Sequence, residues 1–257
     1  MNETDQIIVM KFGGASLATP NHFTMVADCI EKRRQNDKRI VVVVSAMLET
    51  TNQLIDLAKT INPNPPQREY DMLISVGERI SMSLLAMALD LKKIPAISLT
   101  GSQSGIITCT KHTEATIIDV RPQRIFEALQ KDYVVIIAGF QGVSTTREIT
   151  TLGRGGSDTT AVALGIALDA QRVEFYKDVP GICSHDPKVH PDAELYSALS
   201  YEQAKEILSG GAKVLHMRAL QMAERHAIPL CVRSLSSSGT HIGEQNTKAP
   251  FKVYEQL

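Results

Sequence analysis

The sequence lacks the features that mark secreted, membrane-spanning and nucleic-acid-binding proteins. Its 257 residues carry 27 Lys and Arg against 28 Asp and Glu, so there is no excess of positive charge to attract nucleic acid or an anionic membrane. No stretch approaches the ~18 apolar residues of a spanning helix, and the N-terminus has no basic start followed by a long apolar run. We therefore expect a cytoplasmic protein with no nucleic-acid and no membrane partner.

The motifs of several enzyme classes are also missing. The four cysteines are widely spaced without a CxxC pair, which argues against a zinc ribbon or a thioredoxin-like site and predicts free thiols. There is no HExxH, no paired metal spacing among the seven histidines and no GxSxG, so metal-site and hydrolase functions have little support. Neither GxxxxGK[ST] nor a strand-linked GxGxxG occurs, which removes the P-loop and dinucleotide fingerprints.

What is present has the pattern of an α/β protein. Six short apolar runs are typical of strands buried on both faces of a parallel sheet; they span residues 7–12, 39–46, 95–100, 133–140, 173–178 and 228–234. Helical spacing appears in residues 23–35, 71–91, 159–170, 200–215 and 218–226. This alternation predicts a wound α/β fold with helices on both faces of a mostly parallel sheet.

Glycine-rich or polar loops follow five of the predicted strands. Such sheets bind ligands beyond the carboxyl ends of their strands, and the loops there are KFGG, SAMLETTN, TGSQSG, QGV and KDVPG. Taken alone, such a loop is explained as a tight turn or a surface loop. Glu78 is likewise explained as a charge at a helix start, and Lys213 as a solvated lysine after a helix-ending glycine. Taken together, they indicate phosphoryl transfer, which depends mainly on positioning and charge stabilisation.

The stretch TLGRGGSDTTAVAL (151–164) combines an arginine, three glycines and an acid before an apolar helical run. Ser157 or Asp158 could cap that helix. A cap does not explain Arg154, Gly155 and Gly156, which favour an anion near exposed backbone N–H groups. Asp158 would repel that anion, so its own role needs a further explanation.

Seven segments along the chain carry further information: KFGGAS (11–16), PPQREYDMLISVGERIS (65–81), TGSQSG (100–105), AGFQGV (138–143), LGRGGSDTTAVAL (152–164), KDVPGICSHDPK (177–188) and GAKVLHMR (211–218). In this order they resemble the catalytic domain of aspartate kinases, in the amino acid kinase superfamily. The resemblance implies one three-layer α/β/α amino acid kinase domain over residues 1–257. Residues 1–170 would form an amino-acid-binding lobe and residues 171–245 an ATP-binding lobe. The family usually continues into C-terminal ACT domains, and we expect none within this sequence, which is a departure from the family.

The resemblance implies ATP-dependent phosphorylation of the side-chain carboxylate of L-aspartate, the entry step to lysine, threonine and methionine. Arg154 would pair with the substrate α-carboxylate and Glu78 with its α-ammonium group. The other residues that the resemblance places at the substrate are Gly13, Gly14, Ser45, Thr51, Gly155, Gly156 and Ser157.

The resemblance also implies the catalytic and nucleotide-binding residues. Lys11 and Lys213 would stabilise phosphoryl and nucleotide charge, and Asp158 would organise the two lysines. No general base is needed, because a carboxylate substrate is already ionised. The residues implied to bind ATP are Lys11, Gly13, Gly14, Lys177, Asp178, Cys183, Lys188 and Lys213. Mg²⁺ would be held mainly by phosphates and water, without a dedicated metal site on the protein.

Departures from the family pattern leave alternatives open. Leu48 stands where glycine is usual, Ala15 replaces threonine, Lys188 replaces arginine and Cys183 replaces tyrosine. One alternative is a non-catalytic nucleotide or amino-acid sensor or partner subunit; another is a kinase for a different carboxylate or carbamate. The resemblance is compatible with a homodimer and with a separate regulatory subunit.

Overall fold

Twelve strands form two sheets in the computed structural model, which describes residues 6–36, 39–185, 187, 189–190, 192–243 and 254–255. The strands are β1 (Ile7–Phe12), β2 (Arg39–Val44), β3 (Ala96–Leu99), β4 (Ile106–Thr108), β5 (Ile117–Val120), β6 (Val134–Ala138), β7 (Gln141–Ser144), β8 (Ile149–Thr151), β9 (Arg172–Tyr176), β10 (Ala198–Leu199), β11 (Leu230–Arg233) and β12 (Thr240–Ile242). Eight of them form the main sheet in the order β10-β12-β11-β9-β1-β2-β6-β3. Neighbours in it run parallel except β11 and β12, so the predicted mostly parallel sheet is confirmed.

Helices cover both faces of the main sheet. They are α1 (Pro20–Arg34), α2 (Thr50–Ile61), α3 (Gln67–Ile74), α4 (Val76–Leu91), α5 (Gln123–Gln130), α6 (Gly156–Ala167), α7 (Tyr201–Ser209) and α8 (Met217–Arg225). Alternate residues of a strand point to opposite faces. Ile8 and Met10 of β1 accordingly pack in a core with α1 and α4, whereas Ile7 and Val9 pack in a core with α5, α6 and α8. The three-layer α/β/α prediction is confirmed.

The helix beneath the centre of the sheet is built from small residues. Every residue of α6 is buried, and a Cβ added to Gly165 would lie 2.5 Å from a methyl group of Val173 on β9. The glycine therefore allows the helix to pack tightly against the strand. This close contact fixes the distance between α6 and the sheet, and with it the position of the residues at the N-terminus of the helix.

A smaller sheet, in the order β5-β4-β7-β8, was not predicted from the sequence. Its strands have three or four residues each and include polar side chains, so they lack the long apolar runs that identified the main sheet. Two helix predictions need correction as well. The predicted helix 71–91 belongs to α3 and α4, which meet at Ser75. The predicted helix 200–215 ends at Ser209, because a glycine pair follows and Gly211 has a φ of +107°.

The main sheet is continuous across residue 170, where the sequence suggested a boundary between lobes. β9 pairs with β1 along most of its length, so the strands on either side of that point belong to one sheet. The division into two binding lobes stays a prediction. By length and hydropathy the stretch Gln67–Leu91 could cross a membrane, but 44% of its most apolar window is buried. Since α4 packs against α1, β3 and β6, core packing explains much of its apolar character.

Candidate active site

A cleft of about 690 Å³ opens beyond the carboxyl ends of β1 and β2. β1 lies between β2, the next strand in sequence, and β9, a much later one. The chain therefore builds the sheet on one side of β1 first and then crosses to the other side, and α/β sheets form ligand crevices at such a change of direction. The loops after β1 and β2, the helices α2 and α4, and the start of α6 contribute its walls.

Most of the predicted substrate residues line this cleft, together with two of the three predicted catalytic residues. The substrate residues are Gly14, Ser45, Thr51, Glu78, Arg154, Gly155, Gly156 and Ser157, and the catalytic residues are Lys11 and Asp158. Gly13 lies beside it, since a Cβ added there would be 3.6 Å from Lys11 Nζ. Within the described part of the chain, the lining does not include Lys177, Asp178, Cys183 or Lys213. Lys188 lies outside the described residues.

Asp158 forms the charged centre at the base of the cleft. Its Oδ1 lies 2.7 Å from Nζ of Lys11, and its side chain is only 8% exposed. Oδ2 lies 3.5 Å from Nζ of Lys177 and accepts a hydrogen bond from the backbone N–H of His216 at 3.3 Å. Burial alone would raise the pKa of Asp158, but the attraction of Lys11 and Lys177 lowers it to about 2. The carboxylate is therefore ionised at neutral pH.

The second cation at Asp158 is Lys177, and not Lys213 as the sequence suggested. Lys213 is exposed in the turn between α7 and α8, and it forms no ion pair with Asp158 within the described structure. Lys177 directly follows β9, the parallel neighbour of the strand that carries Lys11, so the two lysines lie at the same sheet edge. Burial first, and then repulsion by Lys11, lowers the pKa of Lys177 to about 8 despite the attraction of Asp158.

Glu78 lies on another wall of the cleft, in the first turn of α4. Its Oε1 accepts a hydrogen bond from the backbone N–H of Ala46 at 3.0 Å, whereas Oε2 is buried without a hydrogen-bond partner among the described residues. Burial raises the pKa of Glu78 to about 7, although the Ala46 hydrogen bond and the charge of Lys11 oppose that rise. A Cβ on Gly77 would lie 2.7 Å from the Cβ of Ala46, so glycine allows this approach. Glu78 is thus a partly satisfied buried acid.

The glycines before α6 form another part of the cleft lining. The prediction that Ser157 or Asp158 caps this helix is wrong. The helix begins at Gly156 with Gly155 as its N-cap residue, and no side chain caps it. Ser157 and Asp158 are instead the second and third helical residues. Gly155 has a φ of +72°, and a Cβ there would lie 2.1 Å from the ring of His216. The backbone consequently comes close to the histidine, while the exposed Arg154 side chain remains at the cleft.

Asp71, which the sequence motifs did not single out, anchors two segments that carry cleft residues. Its side chain is fully buried and accepts hydrogen bonds from the backbone N–H of Thr113 and of Thr151, and from the Thr151 hydroxyl at 2.6 Å. His112 Nδ1 lies 2.8 Å from the same carboxylate. Asp71 therefore joins α3 to β8 and to the segment before β5, close to Glu114 and Arg154.

Arg218 holds the same two segments from the opposite side. Its guanidinium donates to the carbonyl oxygens of Leu152 at 2.6 Å and Ala115 at 2.8 Å, and it pairs with Glu255. Glu255 also accepts a hydrogen bond from the backbone N–H of Ile117. Arg218 lies within the GAKVLHMR motif, but its role depends on contacts between residues far apart in the sequence. Asp71 and Arg218 thus fix the backbone that leads to Arg154.

The remaining predicted nucleotide residues lie in loops after β9 and between α7 and α8. Asp178 is exposed, and Cys183 is half-buried in an isolated antiparallel bridge with Leu195. Within the described residues, neither Cys183 nor Lys213 forms an ion pair or a hydrogen bond with Lys11 or Asp158. Their assignment to ATP stays a prediction.

The fold and the charged cleft define a class of protein. The chain matches the amino acid kinase family over residues 6–234, and it belongs to that family. Among its relatives, the aspartokinase of Mycolicibacterium smegmatis is 48% identical over 229 residues, which are 89% of this chain and 54% of that protein. The chain thus spans about half the length of this curated relative.

Two solved structures agree with that relationship. Aspartate kinase from Synechocystis superimposes with a TM-score of 0.82 at 44% identity, covering 94% of this chain and 41% of that one. E. coli aspartokinase III in complex with aspartate and ADP gives a TM-score of 0.83 at 28% identity, covering 96% of this chain and 67% of that one. The family match over residues 6–234 includes every residue that lines the cleft.

Proposed function

We propose that the protein transfers the γ-phosphoryl group of ATP to the side-chain carboxylate of L-aspartate, giving 4-phospho-L-aspartate and ADP. The observation that carries the proposal is the Lys11, Asp158 and Lys177 cluster at the base of a cleft that also presents Glu78 and Arg154. The aspartokinase relatives support the same activity. We expect the product to serve lysine, threonine and methionine biosynthesis in the cytoplasm.

Glu78 and Arg154 would recognise the two charged groups that all free α-amino acids share. The buried Oε2 of Glu78 lacks a donor among the described residues, and an α-ammonium group would supply one. Arg154 offers the planar pair of donors that matches an α-carboxylate. Ser45, Thr51 and the glycines of the cleft would then contact the rest of the substrate, and both charged walls together favour a free amino acid over an N-acylated one.

Lys11 would stabilise negative charge on the transferring phosphoryl group, with Asp158 as its positioning partner. The substrate carboxylate is ionised near neutral pH because its ordinary pKa is ~3.9, so the reaction needs no general base. Catalysis of phosphoryl transfer depends on placing the reactants and compensating charge. Asp158 offsets the repulsion between Lys11 and Lys177 and thereby keeps both ammonium groups close to the reaction.

Five residues remain proposed nucleotide ligands: Lys177, Asp178, Cys183, Lys188 and Lys213. Lys177 is the one of them that pairs with a cleft residue, Asp158. No group of three or more His, Cys, Asp or Glu side chains suited to a metal occurs in the described ranges. The carboxylate nearest the proposed phosphate position, Asp158, is already engaged by two lysines. The site therefore fits Mg²⁺ that arrives with ATP and is held by phosphates and water. When bound, Mg²⁺ would neutralise phosphate charge.

The direct test is an acyl-phosphate assay. Purified protein with L-aspartate, ATP and Mg²⁺ should form an acyl phosphate that hydroxylamine traps, together with stoichiometric ADP. A folded protein that binds ATP but gives neither product would contradict the proposal and favour the sensor or partner-subunit alternative.

Substrate choice tests the roles of Glu78 and Arg154. L-Aspartate should react faster than L-glutamate, and N-acetylglutamate should not react because it lacks the ammonium group that Glu78 would bind. Preferred turnover of N-acetylglutamate would show that the protein acts on another carboxylate. A homodimer and a separate regulatory subunit stay predictions, which the mass in solution and copurification would test.

A further inference from the structure

A second cavity, of about 370 Å³, lies between α1 and the strands β9 and β11. α1 contributes Asp28, Cys29, Lys32 and Arg33 to its walls, and the strands contribute Tyr176 and Arg233. None of these residues lines the cleft that contains Asp158. The cavity is therefore separate from the proposed active site.

A buried carboxylate beneath this cavity already has its hydrogen bonds. Glu174 is fully buried, and its Oε1 accepts from Arg33 at 2.6 Å and from Arg172 at 2.7 Å. Its Oε2 accepts from the Tyr176 hydroxyl at 2.8 Å. Burial would raise the pKa of Glu174, but the nearby arginines hold it below its usual value. Glu174 is ionised, and two arginines and a hydroxyl satisfy it.

Arg233 forms only a long ion pair with Glu174. Its Nη1 lies 3.7 Å from Oε2 of Glu174, which is too long for a hydrogen bond. Its side chain is 22% exposed, and its Nε is buried without a hydrogen-bond partner within the described residues. The guanidinium carbon lies 5.6 Å from the centre of the Tyr176 ring, within the range of a cation–π contact. The buried Nε–H has no acceptor within the described residues, so the guanidinium keeps a donor for a further ligand.

Positive charge exceeds negative charge around the cavity. The cations are Lys32, Arg33, Arg172 and Arg233, and the acids are Glu174 and Asp28. Asp28 is paired with Lys92 at 2.6 Å. Burial raises the pKa of Cys29, so its thiol adds no negative charge at neutral pH.

We propose that this cavity binds a small anion with a phosphate or carboxylate group, which the Arg233 guanidinium contacts and Lys32 attracts. A planar guanidinium matches the paired oxygens of either group. The exposed lysine at the rim would contribute charge without a fixed geometry. Aromatic stacking alone would explain where Arg233 lies, but it would not supply acceptors for its N–H groups.

NMR of the arginine Nε–H groups tests the site directly, because each arginine reports its own surroundings. The full chain is titrated with inorganic phosphate and, in a second arm, with malonate, at ionic strength held constant by sodium chloride. The Arg233 signal, assigned by its loss in Arg233→Met, should shift saturably in at least one arm. The arm with the tighter binding identifies the phosphate or the carboxylate class.

Matched variants separate the cavity from general charge effects. Lys32→Met, at an exposed position where folding is not at risk, should weaken the Arg233 response severalfold. Arg225→Met, at an exposed position on α8, should leave it unchanged. The proposal is overturned if the Arg233 signal does not saturate in either arm, or if Arg225→Met weakens the response as much as Lys32→Met. Shifts confined to Arg154 would likewise overturn it, because they would report the cleft alone.

Discussion

Two buried carboxylates on different walls of the cleft behave in opposite ways. Asp158 has two lysines beside it and a pKa lowered to about 2. Glu78 has one backbone N–H donor, a buried oxygen without a partner, and a pKa raised to about 7. Both are removed from water, so the difference comes from the charges that neighbour them. Asp158 already has two cationic partners within the protein. Glu78 has a buried oxygen without a donor among the described residues, which is suited to an incoming cation.

The largest expected effect comes from removing the charge of Asp158. In Asp158→Asn, Lys11 and Lys177 lose the carboxylate between them and repel each other, so the ammonium groups should move out of place. We expect kcat to fall on the order of 10²–10³-fold, as for the loss of a transition-state charge contact. The ADP-release rate at saturating substrates measures this effect.

Asp56→Asn, at an exposed position on α2, is the matched control and should retain the parent rate. Near-parent turnover in Asp158→Asn, with the fold intact, would remove Asp158 from the proposed mechanism.

The next effect concerns how stability depends on pH, and the two acids should act in opposite directions. Protonation of Glu78 should favour the folded state, and protonation of Asp158 should oppose it. The pKa of Glu78 is higher in the folded state than the ordinary 4.5, so the folded protein binds its proton more tightly. Its contribution is therefore present below pH 4.5 and is lost as the pH rises through about 7. Asp158 has a lowered pKa, so its contribution is present above pH 3.8 and is lost as the pH falls toward 2.

Glu78→Gln removes the first of these titrations. The stability of the variant relative to the parent should increase by on the order of 3 kcal/mol between pH 4.5 and pH 8. Urea denaturation at several pH values measures the difference. A constant difference over that range would show that Glu78 is not the buried acid that the structure indicates.

The same substitution should weaken substrate binding by a smaller free energy. An amide cannot pair with an ammonium group as a carboxylate does, and hydrogen bonds to charged groups contribute about 1.5–3 kcal/mol. KM for L-aspartate should therefore rise roughly 10- to 100-fold while KM for ATP changes little. Equal increases in both constants would mean that Glu78 supports the fold of the cleft and does not contact the substrate.

The smallest effect is the pH dependence of that binding. Because the pKa of Glu78 is about 7 in the free protein, most molecules carry a neutral Glu78 at pH 6 and an ionised one at pH 8. The apparent KM for L-aspartate should fall roughly tenfold over this interval, by the logarithmic relation between pH and ionised fraction. Initial rates at fixed ATP measure it, and the Glu78→Gln variant should show a flat profile.

The sequence predicted the main sheet and most of the cleft because both depend on local patterns. Runs such as IVVVV (40–44) show burial directly, and the glycines at 155 and 156 mark a place where backbone comes close to other groups. The smaller sheet escaped prediction since its short strands alternate weakly. Asp71, Arg218 and the pairing of Lys177 with Asp158 escaped for another reason: each depends on residues brought together from distant parts of the chain.

The register of β9 has a consequence for how the chain can change in length. Glu174 and Tyr176 face α1, Phe175 faces α6, and Lys177 follows immediately at the end of the strand. One added or deleted residue within 172–176 would exchange the two faces and rotate Lys177 away from Asp158. Insertions and deletions should therefore be tolerated in the exposed turn at residues 145–147 between β7 and β8, and excluded from this five-residue strand.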